Sequence, residues 1–154
     1  MSFLEAQVAV RFIDRKLDQL RSIVAEFPEE NVWQRPQTGV ASLGNLVCHV
    51  AGSMRDWIEN GVAQQEWRRE RELEFTRDSG PDRAGLTRHL DETRAHCEPF
   101  IAQLDEASWN SSREFRGRSF TVRDILFQQI DHVSYHVGQA AFLRRIVADL
   151  EARP

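Results

Sequence analysis

Cysteine and lysine are both scarce in this chain, and each scarcity excludes a class of protein. Cys48 and Cys97 are the only cysteines among 154 residues. They form no Cys-x-x-Cys pair and are too few for a disulfide scaffold, so we expect two free thiols in a reducing compartment. Lys16 is the only lysine, the net charge is −4, and no arginine cluster is interleaved with aromatic residues. The composition therefore gives no reason to expect a nucleic-acid partner.

Long apolar runs are also missing. No apolar run approaches the roughly 18 residues of a membrane span, and charges interrupt the apolar residues of the N-terminus, which excludes a signal peptide. We therefore predict a cytoplasmic protein with no membrane partner. Five prolines and eight glycines leave room for long helices, and the 41% apolar and 29% charged residues are typical of a globular protein. One domain over residues 1–154 is the simplest prediction.

Four stretches repeat apolar residues at the spacing of an amphipathic helix. They cover residues 3–26, 42–61, 84–106 and 121–150. Ser42 is a candidate N-cap for the second helix, and Thr121 with Asp124 is a capping-box-like start for the fourth. Pro99 should bend the third helix or end its regular part, because proline in a helix interior costs about 3 kcal/mol.

The segments between the predicted helices are long. Residues 28–41 hold two prolines and a glycine around Trp33 and should form a loop. Residues 62–83, rich in arginine and glutamate, should form a linker with a turn or two of helix, and residues 107–120 a short hairpin around Arg-Gly-Arg. These elements predict an all-α four-helix bundle with long connecting loops, a fold whose cofactor sites are built from inward side chains of facing helices.

The last predicted helix carries two histidines on one side. His132 and His136 lie four residues apart, so their Cβ atoms should be roughly 5–6 Å apart and both rings can approach one metal ion. His49, at the edge of the apolar face of the second helix, is the best third ligand. His89 and His96 share a face of the third helix, but their charged neighbours favour a solvent-facing location equally well. Hydrogen-bonded core histidines are an alternative to metal ligands that spacing leaves open.

A site of three neutral imidazoles would leave coordination positions open, as catalytic metal sites do. A water bound there would have its pKa lowered towards about 7. Imidazole suits zinc, nickel, copper and iron alike, so the ligand types do not select one metal. No general acid or base is fixed by spacing, and the sequence assigns no catalytic residue.

Several residues near the histidines have two interpretations. Cys48 precedes the histidine of the second helix but is turned about 100° away from it, which favours a core thiol over a fourth ligand. Tyr135 and Gln139 could orient a bound water or substrate, and Tyr135 could equally be a packing residue. Arg55 and Asp56 are expected to form a solvated ion pair rather than to line a pocket.

Three segments together resemble a known family. The stretches SLGNLVCHVAGSMRDWI, RRERELEF and IDHVSYHVGQAAFL are similar to the DinB/YfiT-like superfamily of metal-binding four-helix bundles. The most specific piece is one histidine in the second helix combined with H-x-x-x-H-x-G-Q in the last. The resemblance implies that His49, His132 and His136 bind a divalent ion, often zinc or nickel, and that the protein is a homodimer. Characterised relatives include transferases and isomerases that use low-molecular-weight thiols such as mycothiol or bacillithiol.

Two classes of function follow from the residues and the resemblance. The first is a divalent-metal-dependent enzyme in which the three-histidine site activates a thiol or water for transfer, isomerisation or hydrolysis of a small molecule. The second is a non-catalytic metal-binding or dimerising bundle in which the histidines tie two helices together. The superfamily name refers to induction by DNA damage, and the acidic net charge argues against a nucleic-acid partner.

Overall fold

Helices account for most of the chain between residues 3 and 151, the part that the computed structural model describes. The helices and strands in this range are α1 (Leu4–Glu26), α2 (Leu43–Arg55), α3 (Arg71–Thr76), α4 (Arg83–Ala102), α5 (Glu106–Asn110), β1 (Ser112–Phe115), β2 (Arg118–Thr121) and α6 (Val122–Glu151). A 3₁₀ turn covers Glu29–Asn31, and Asp56–Val62 continues α2 as a π-helix. The four long helices are those predicted from apolar spacing, so the all-α expectation is confirmed.

Four helices, α1, α2, α4 and α6, enclose an apolar core. α1 packs against α6 and α4, and α2 packs against α4, α6 and the short α3. Leu20, Val47, Leu86 and Ile125, one from each long helix, have no exposed surface. Full burial of an aliphatic side chain stabilises a fold by about 1.5–3 kcal/mol, so the core fixes the relative positions of the helices.

Both helices that carry the candidate ligands begin at side-chain caps. Ser42 Oγ accepts a hydrogen bond from the Asn45 amide at 3.2 Å, and the Ser42 amide donates to Asn45 Oδ1 at 3.0 Å. At the start of α6, the Asp124 amide donates to Thr121 Oγ1 and the Thr121 amide donates to Asp124 Oδ2, both at 3.1 Å. Each reciprocal pair satisfies two backbone donors. The predicted starts are confirmed, and they set where each helix presents its histidines.

Two predicted helix boundaries differ from the structure. The second helix does not stay an α-helix as far as Gly61, because its last turns are π-helical and run to Val62. The third ends at Ala102 rather than at residue 106, because Asp105 Oδ1 accepts a hydrogen bond from the Ser108 amide at 2.7 Å and caps the separate α5. Pro99 lies inside α4, and the helix continues for three residues beyond it.

The predicted hairpin is formed by β1 and β2. Arg116 and Gly117 make its two-residue turn, with φ of 52° and 70°. Positive φ at both central residues is the requirement of a type I′ turn. The rings of Phe115 and Phe120 pack against Trp57 at centroid distances of 4.9 and 5.4 Å. These contacts dock the hairpin onto the π-helical end of α2.

Within residues 3–151, no helix is both long enough and apolar enough to cross a membrane. Cys48 and Cys97 are free and buried, as the sparse cysteine content predicted. The assignment of residues 1–154 to a single domain stays a prediction.

Candidate metal centre

α2 and α6 bring three imidazole rings together. His132 Nε2 lies 3.1 Å from His49 Nε2 and 3.2 Å from His136 Nε2. One ligand atom from each of the three rings lies within 4.8 Å of the other two. His49 and His136 are buried and His132 is half-buried, so the cluster lies inside the bundle. The three rings proposed from spacing therefore share one location.

Hydrogen bonds on the outer nitrogens fix the tautomers of two rings. His49 Nδ1 lies 2.9 Å from Glu74 Oε2. Burial raises the pKa of Glu74, but hydrogen bonds from His49 and Arg69 outweigh burial and lower that pKa overall, so Glu74 is a carboxylate that only accepts. His136 Nδ1 lies 2.7 Å from Gln139 Oε1, an amide oxygen that also accepts. Arg69 Nη2 also lies 3.1 Å from His49 Nδ1, but its two hydrogens are directed to Glu74 Oε2 and to the backbone oxygen of His49. Both rings therefore carry hydrogen on Nδ1 and present the lone pair of Nε2 to the centre.

This arrangement of lone pairs fits a cation better than a hydrogen-bonded cluster. His132 Nε2 faces two lone pairs and can donate a hydrogen to only one of them, so the other lone pair meets a ring nitrogen with no hydrogen between them and is repelled. A metal ion would remove this repulsion. Two imidazole nitrogens each about 2.0–2.1 Å from one ion lie roughly 2.8–3.4 Å apart at octahedral to tetrahedral angles. The observed separations of 3.1 and 3.2 Å fall in that range.

Burial keeps the imidazoles of His132 and His136 neutral, which is the form that binds metals. Burial and the nearby His136, His49 and Arg69 lower the pKa of His132 to about 3. Burial also lowers the pKa of His136, although its hydrogen bond with Gln139 opposes the shift. At neutral pH the lone pairs of His132 and His136 are therefore available.

Glu74 is itself held by an arginine of the preceding segment. Arg69 Nε donates to Glu74 Oε1 and Arg69 Nη2 donates to Glu74 Oε2, both at 2.7 Å. Only 8% and 10% of the two side chains are exposed, so this bidentate pair is shielded from solvent. Arg69 Nη2 also donates to the backbone oxygen of His49 at 3.3 Å. Gly52 leaves space for the carboxylate, because a Cβ there would collide with Glu74 Oε1.

His132 has no equivalent outer partner. Its Nδ1 is buried without a hydrogen-bond partner among the described residues, and so are both amide atoms of Gln129, one turn earlier in α6. An unpaired buried polar atom costs about 1–3 kcal/mol. The orientation of the His132 ring therefore depends most on what its Nε2 binds.

The histidines line a cleft of about 910 Å³, a volume typical of small-molecule sites. Phe75 from α3 packs on the His49 ring at a centroid distance of 4.6 Å and forms part of the wall. No aspartate or glutamate of the described residues lines the cleft, whereas four arginines do: Arg35, Arg69, Arg71 and Arg116. The cleft thus combines a nitrogen-donor centre with a positively charged wall.

Tyr135 and Gln139, predicted to orient a bound water or substrate, both line this cleft. The Tyr135 hydroxyl accepts a hydrogen bond from Gln139 Nε2 at 3.1 Å, and Gln139 Oε1 accepts from His136. Tyr135 is 62% exposed, so it is not a core packing residue. These two hydrogen bonds connect Tyr135 at the cleft mouth through Gln139 to His136 at the centre.

The two histidines of α4, His89 and His96, lie outside the centre. His96 Nε2 is 2.9 Å from Glu59 Oε2. His89 is exposed and lines a separate cavity of about 360 Å³ together with Cys48. Burial raises the pKa of the Cys48 thiol, which agrees with its predicted role as a core residue.

The expected solvated pair of Arg55 and Asp56 is wrong. Asp56 is 6% exposed and pairs with Arg116 of the hairpin, and its Oδ2 lies 3.6 Å from Arg69 Nη1. Arg55 instead pairs with Glu59, its Nε lying 2.6 Å from Glu59 Oε2. Consecutive residues point about 100° apart on a helix, which places the two charges on different faces.

Sequence reasoning missed three charged residues of this region: Arg69, Glu74 and Arg116. The sequence predicted residues 62–83 only as a linker with a turn or two of helix and gave its charged residues no role. The available signal was Gly52, a glycine three residues after His49 in an otherwise well-formed helix, which indicates a close approach by another segment.

Similarity to known proteins agrees with this geometry. A family model described as Mycothiol-S-transferase matches residues 8–149. A crystal structure described as the conserved protein of locus from Enterococcus faecalis has a TM-score of 0.77 and 17% sequence identity, and the match covers 97% of this chain and 99% of that chain. At this identity the structural likeness shows the fold alone. No curated protein is significantly similar to the chain.

Proposed function

The chain belongs to the mycothiol-S-transferase family, a DinB/YfiT-like family, and on that premise we propose that it is a metal-dependent enzyme that transfers a low-molecular-weight thiol to a small molecule. The observation that carries the proposal is the convergence of three Nε2 atoms. A hydrogen on His132 Nε2 can satisfy only one of its two contacts with the other rings. His49, His132 and His136 would hold a divalent ion, with zinc or nickel the first candidates. Such an ion lowers the pKa of a thiol or water placed beside it.

The surrounding residues would hold the ligands and receive the substrates. Glu74 and Gln139 keep hydrogen on Nδ1 of two histidines, so that each Nε2 stays a lone-pair donor. Arg69 fixes Glu74, and Phe75 limits the access of water to His49. In the transfer, the thiol proton passes to solvent and the sulfur forms a bond to an electrophilic carbon. The leaving group departs with the electron pair of the broken bond.

Metal content and thiol transfer test the proposal together. The chain, purified without a histidine tag and incubated with zinc or nickel, should retain about one ion per molecule by elemental analysis. The loaded protein should then consume mycothiol in the presence of a panel of electrophiles, with conjugates identified by mass spectrometry. His136→Ala should lose both metal and turnover, whereas His96→Ala should keep both. Failure to retain either metal, or unchanged turnover in His136→Ala, would contradict the proposal.

A second candidate function is a non-catalytic, metal-binding bundle that forms dimers. Phe127, Tyr135 and Phe142 are 55%, 62% and 64% exposed. At 100° per residue they lie within roughly 80° of one another around α6, so they form one apolar stripe. Sedimentation should show a homodimer that Phe127→Ser with Phe142→Ser dissociates. A metal-loaded dimer without turnover against any thiol would favour this second function.

We further propose a cytoplasmic location and no nucleic-acid partner. The free cysteines suit a reducing compartment, and the net charge of −4 disfavours binding to phosphate backbones. A salt-dependent shift of labelled duplex by the purified chain would contradict the second statement.

A further inference from the structure

The four arginines of the cleft are not equally engaged. Arg35 Nε pairs with Asp78, and its Nη2 donates to the backbone oxygens of Phe75 and Arg77. Arg35 therefore holds the segment at the end of α3 in place. Arg69 is engaged by Glu74. Of the remaining two, Arg116 has one carboxylate partner, Asp56, and Arg71 has none among the described residues.

Arg116 occupies a turn position whose backbone conformation favours a different residue type. Its φ of 52° lies in the left-handed region, which costs a non-glycine residue about 1–2 kcal/mol, and Asn or Gly would fit the turn better. Its guanidinium lies over the rings of Trp57 and Phe115, at 5.2 and 4.9 Å from their centroids. Its partner Asp56 also faces Arg69, so one carboxylate serves two guanidinium groups. A strained residue at a site of this kind points to a function for its side chain.

Arg71 has no ion-pair or hydrogen-bond partner among the described residues. Its guanidinium lies 5.3 Å from the centroid of Phe75, the ring that packs on His49. Stacking occupies the face of a guanidinium and leaves its N–H edge free. Two arginines, each with its guanidinium over an aromatic ring, thus line one cleft.

An apolar cavity continues the cleft at its other end. This annex of about 460 Å³ shares Leu46 and Gln139 with the cleft and adds Phe142, Leu143 and Ile146. No charged residue of the described chain lines it.

The positions of Leu46, His49 and Trp57 along α2 give the order of the annex, the histidine centre and Arg116. Along α2, Leu46 lies at the annex, His49 at the centre and Trp57 beside Arg116. At 1.5 Å per residue, Leu46 and Trp57 are about 16 Å apart with His49 between them.

We infer that the electrophilic substrate carries a carboxylate at one end and an apolar group at the other, an inference that rests on the proposed function. Arg71 and Arg116 bind the carboxylate, the annex takes the apolar group, and the reacting carbon lies between them beside the histidines. Planar guanidinium edges match a carboxylate bidentately. Arg71 has no carboxylate partner within residues 3–151, and Arg116 shares its partner Asp56 with Arg69, so a substrate carboxylate would meet limited competition.

Calorimetric titration with non-reactive probes tests this inference without thiol or turnover. The probes are decanoate, its neutral match decanamide, and the shorter hexanoate. The protein is metal-free, so that no ion can bind the carboxylate. Decanoate should bind at least about tenfold more tightly than decanamide, as expected for a hydrogen bond to a charged group, and more tightly than hexanoate.

The variants assign this preference to residues. Arg71→Gln with Arg116→Gln should abolish the preference for decanoate over decanamide, whereas Arg88→Gln, which removes an exposed arginine that lines neither cavity, should keep it. Phe142→Ser should reduce the advantage of decanoate over hexanoate. If the double variant fails to fold by circular dichroism, Arg71→Gln alone should lower the preference and Arg116→Lys should retain it.

Equal binding of decanoate and decanamide by the native protein, a preference that survives in the arginine variants, or no binding of any probe would overturn the inference. These results are independent of thiol transfer. A chain that shows the preference but transfers no thiol retains the carboxylate site and loses the proposed function, whereas transfer without the preference overturns this inference alone.

Discussion

Two histidine–glutamate pairs of this molecule have the same length and different surroundings. His49 Nδ1 lies 2.9 Å from Glu74 Oε2, and His96 Nε2 lies 2.9 Å from Glu59 Oε2. The His49 side chain is 8% exposed, against 41% for His96. The second nitrogen of His49 faces another imidazole, whereas the described residues place no imidazole opposite His96. A carboxylate–histidine pair is therefore not a candidate metal centre by itself, and the rings supplied by a facing helix make the difference.

The largest effect that separates the two pairs should come from removing the carboxylate charge. Glu74→Gln should weaken zinc binding about 10- to 100-fold, because His49 loses the partner that fixes its tautomer and Arg69 loses its bidentate acceptor. Glu59→Gln should leave zinc affinity unchanged. Competition with a chromophoric chelator measures both affinities, and circular dichroism confirms that each variant is folded. Equal affinities in the two variants would mean that Glu74 does not act on the centre.

Two of the helical glycines, Gly52 of α2 and Gly138 of α6, extend the comparison to the backbone. Gly52→Ala would push a Cβ into the Glu74 carboxylate, whereas Gly138 of α6 has nothing within 4 Å of the same position. We expect Gly52→Ala to destabilise the fold by about 1–3 kcal/mol through this collision and to weaken zinc binding. Gly138→Ala should stabilise α6 by about 0.5–1 kcal/mol. Urea unfolding and zinc competition measure these effects, and a Gly52→Ala variant of native stability and affinity would contradict the described packing.

The elements of the fold could be predicted because their signals are local. Ser42 with Asn45 and Thr121 with Asp124 are caps that the sequence displays within four residues, and each helix begins where its cap indicated. The α6 histidines could be paired for the same reason, since a four-residue spacing determines their common face.

The outer shell of the centre could not be predicted in this way. Glu74 lies 25 residues from His49, and its carboxylate is positioned by tertiary packing that charge balance in the linker does not encode. The burial of Asp56 against Arg116 depended on where the hairpin docks, which is a contact between residues 60 apart in the chain. Arg116 could not be identified from the sequence either, because its position over Trp57 and Phe115 also depends on tertiary packing.

The pH dependence of stability should distinguish buried from exposed imidazoles in the metal-free chain. The pKa of His132 is about 3 in the fold and near 6.5 in an unfolded chain. Between these values only the unfolded chain binds the proton, so the free energy of unfolding should fall as the pH drops below about 6.5. His132→Gln should reduce this decline in the free energy of unfolding by more than His96→Gln does. Urea titrations with a chelator at about pH 7, 6 and 5 make the comparison, and an identical decline in His132→Gln would contradict the assigned burial.

The smallest effect concerns the cysteine that adjoins His49. Burial raises the pKa of the Cys97 thiol to about 12, and burial also raises that of Cys48. Because the thiolate is the reactive form, neither cysteine should react with iodoacetamide at about pH 8 in the native protein, and both should react in denaturant. Cys48→Ser and Cys97→Ser assign any residual labelling in mass spectra.

Zinc should not change the labelling of Cys48, because the thiol lines the cavity with His89 and not the cleft with the three imidazoles. Labelling of Cys48 in the native metal-free protein that zinc then suppresses would contradict both expectations and place its sulfur among the ligands. The contrast between the two histidine–glutamate pairs would then depend on a fourth donor beside His49, and not on the facing rings of α6 alone.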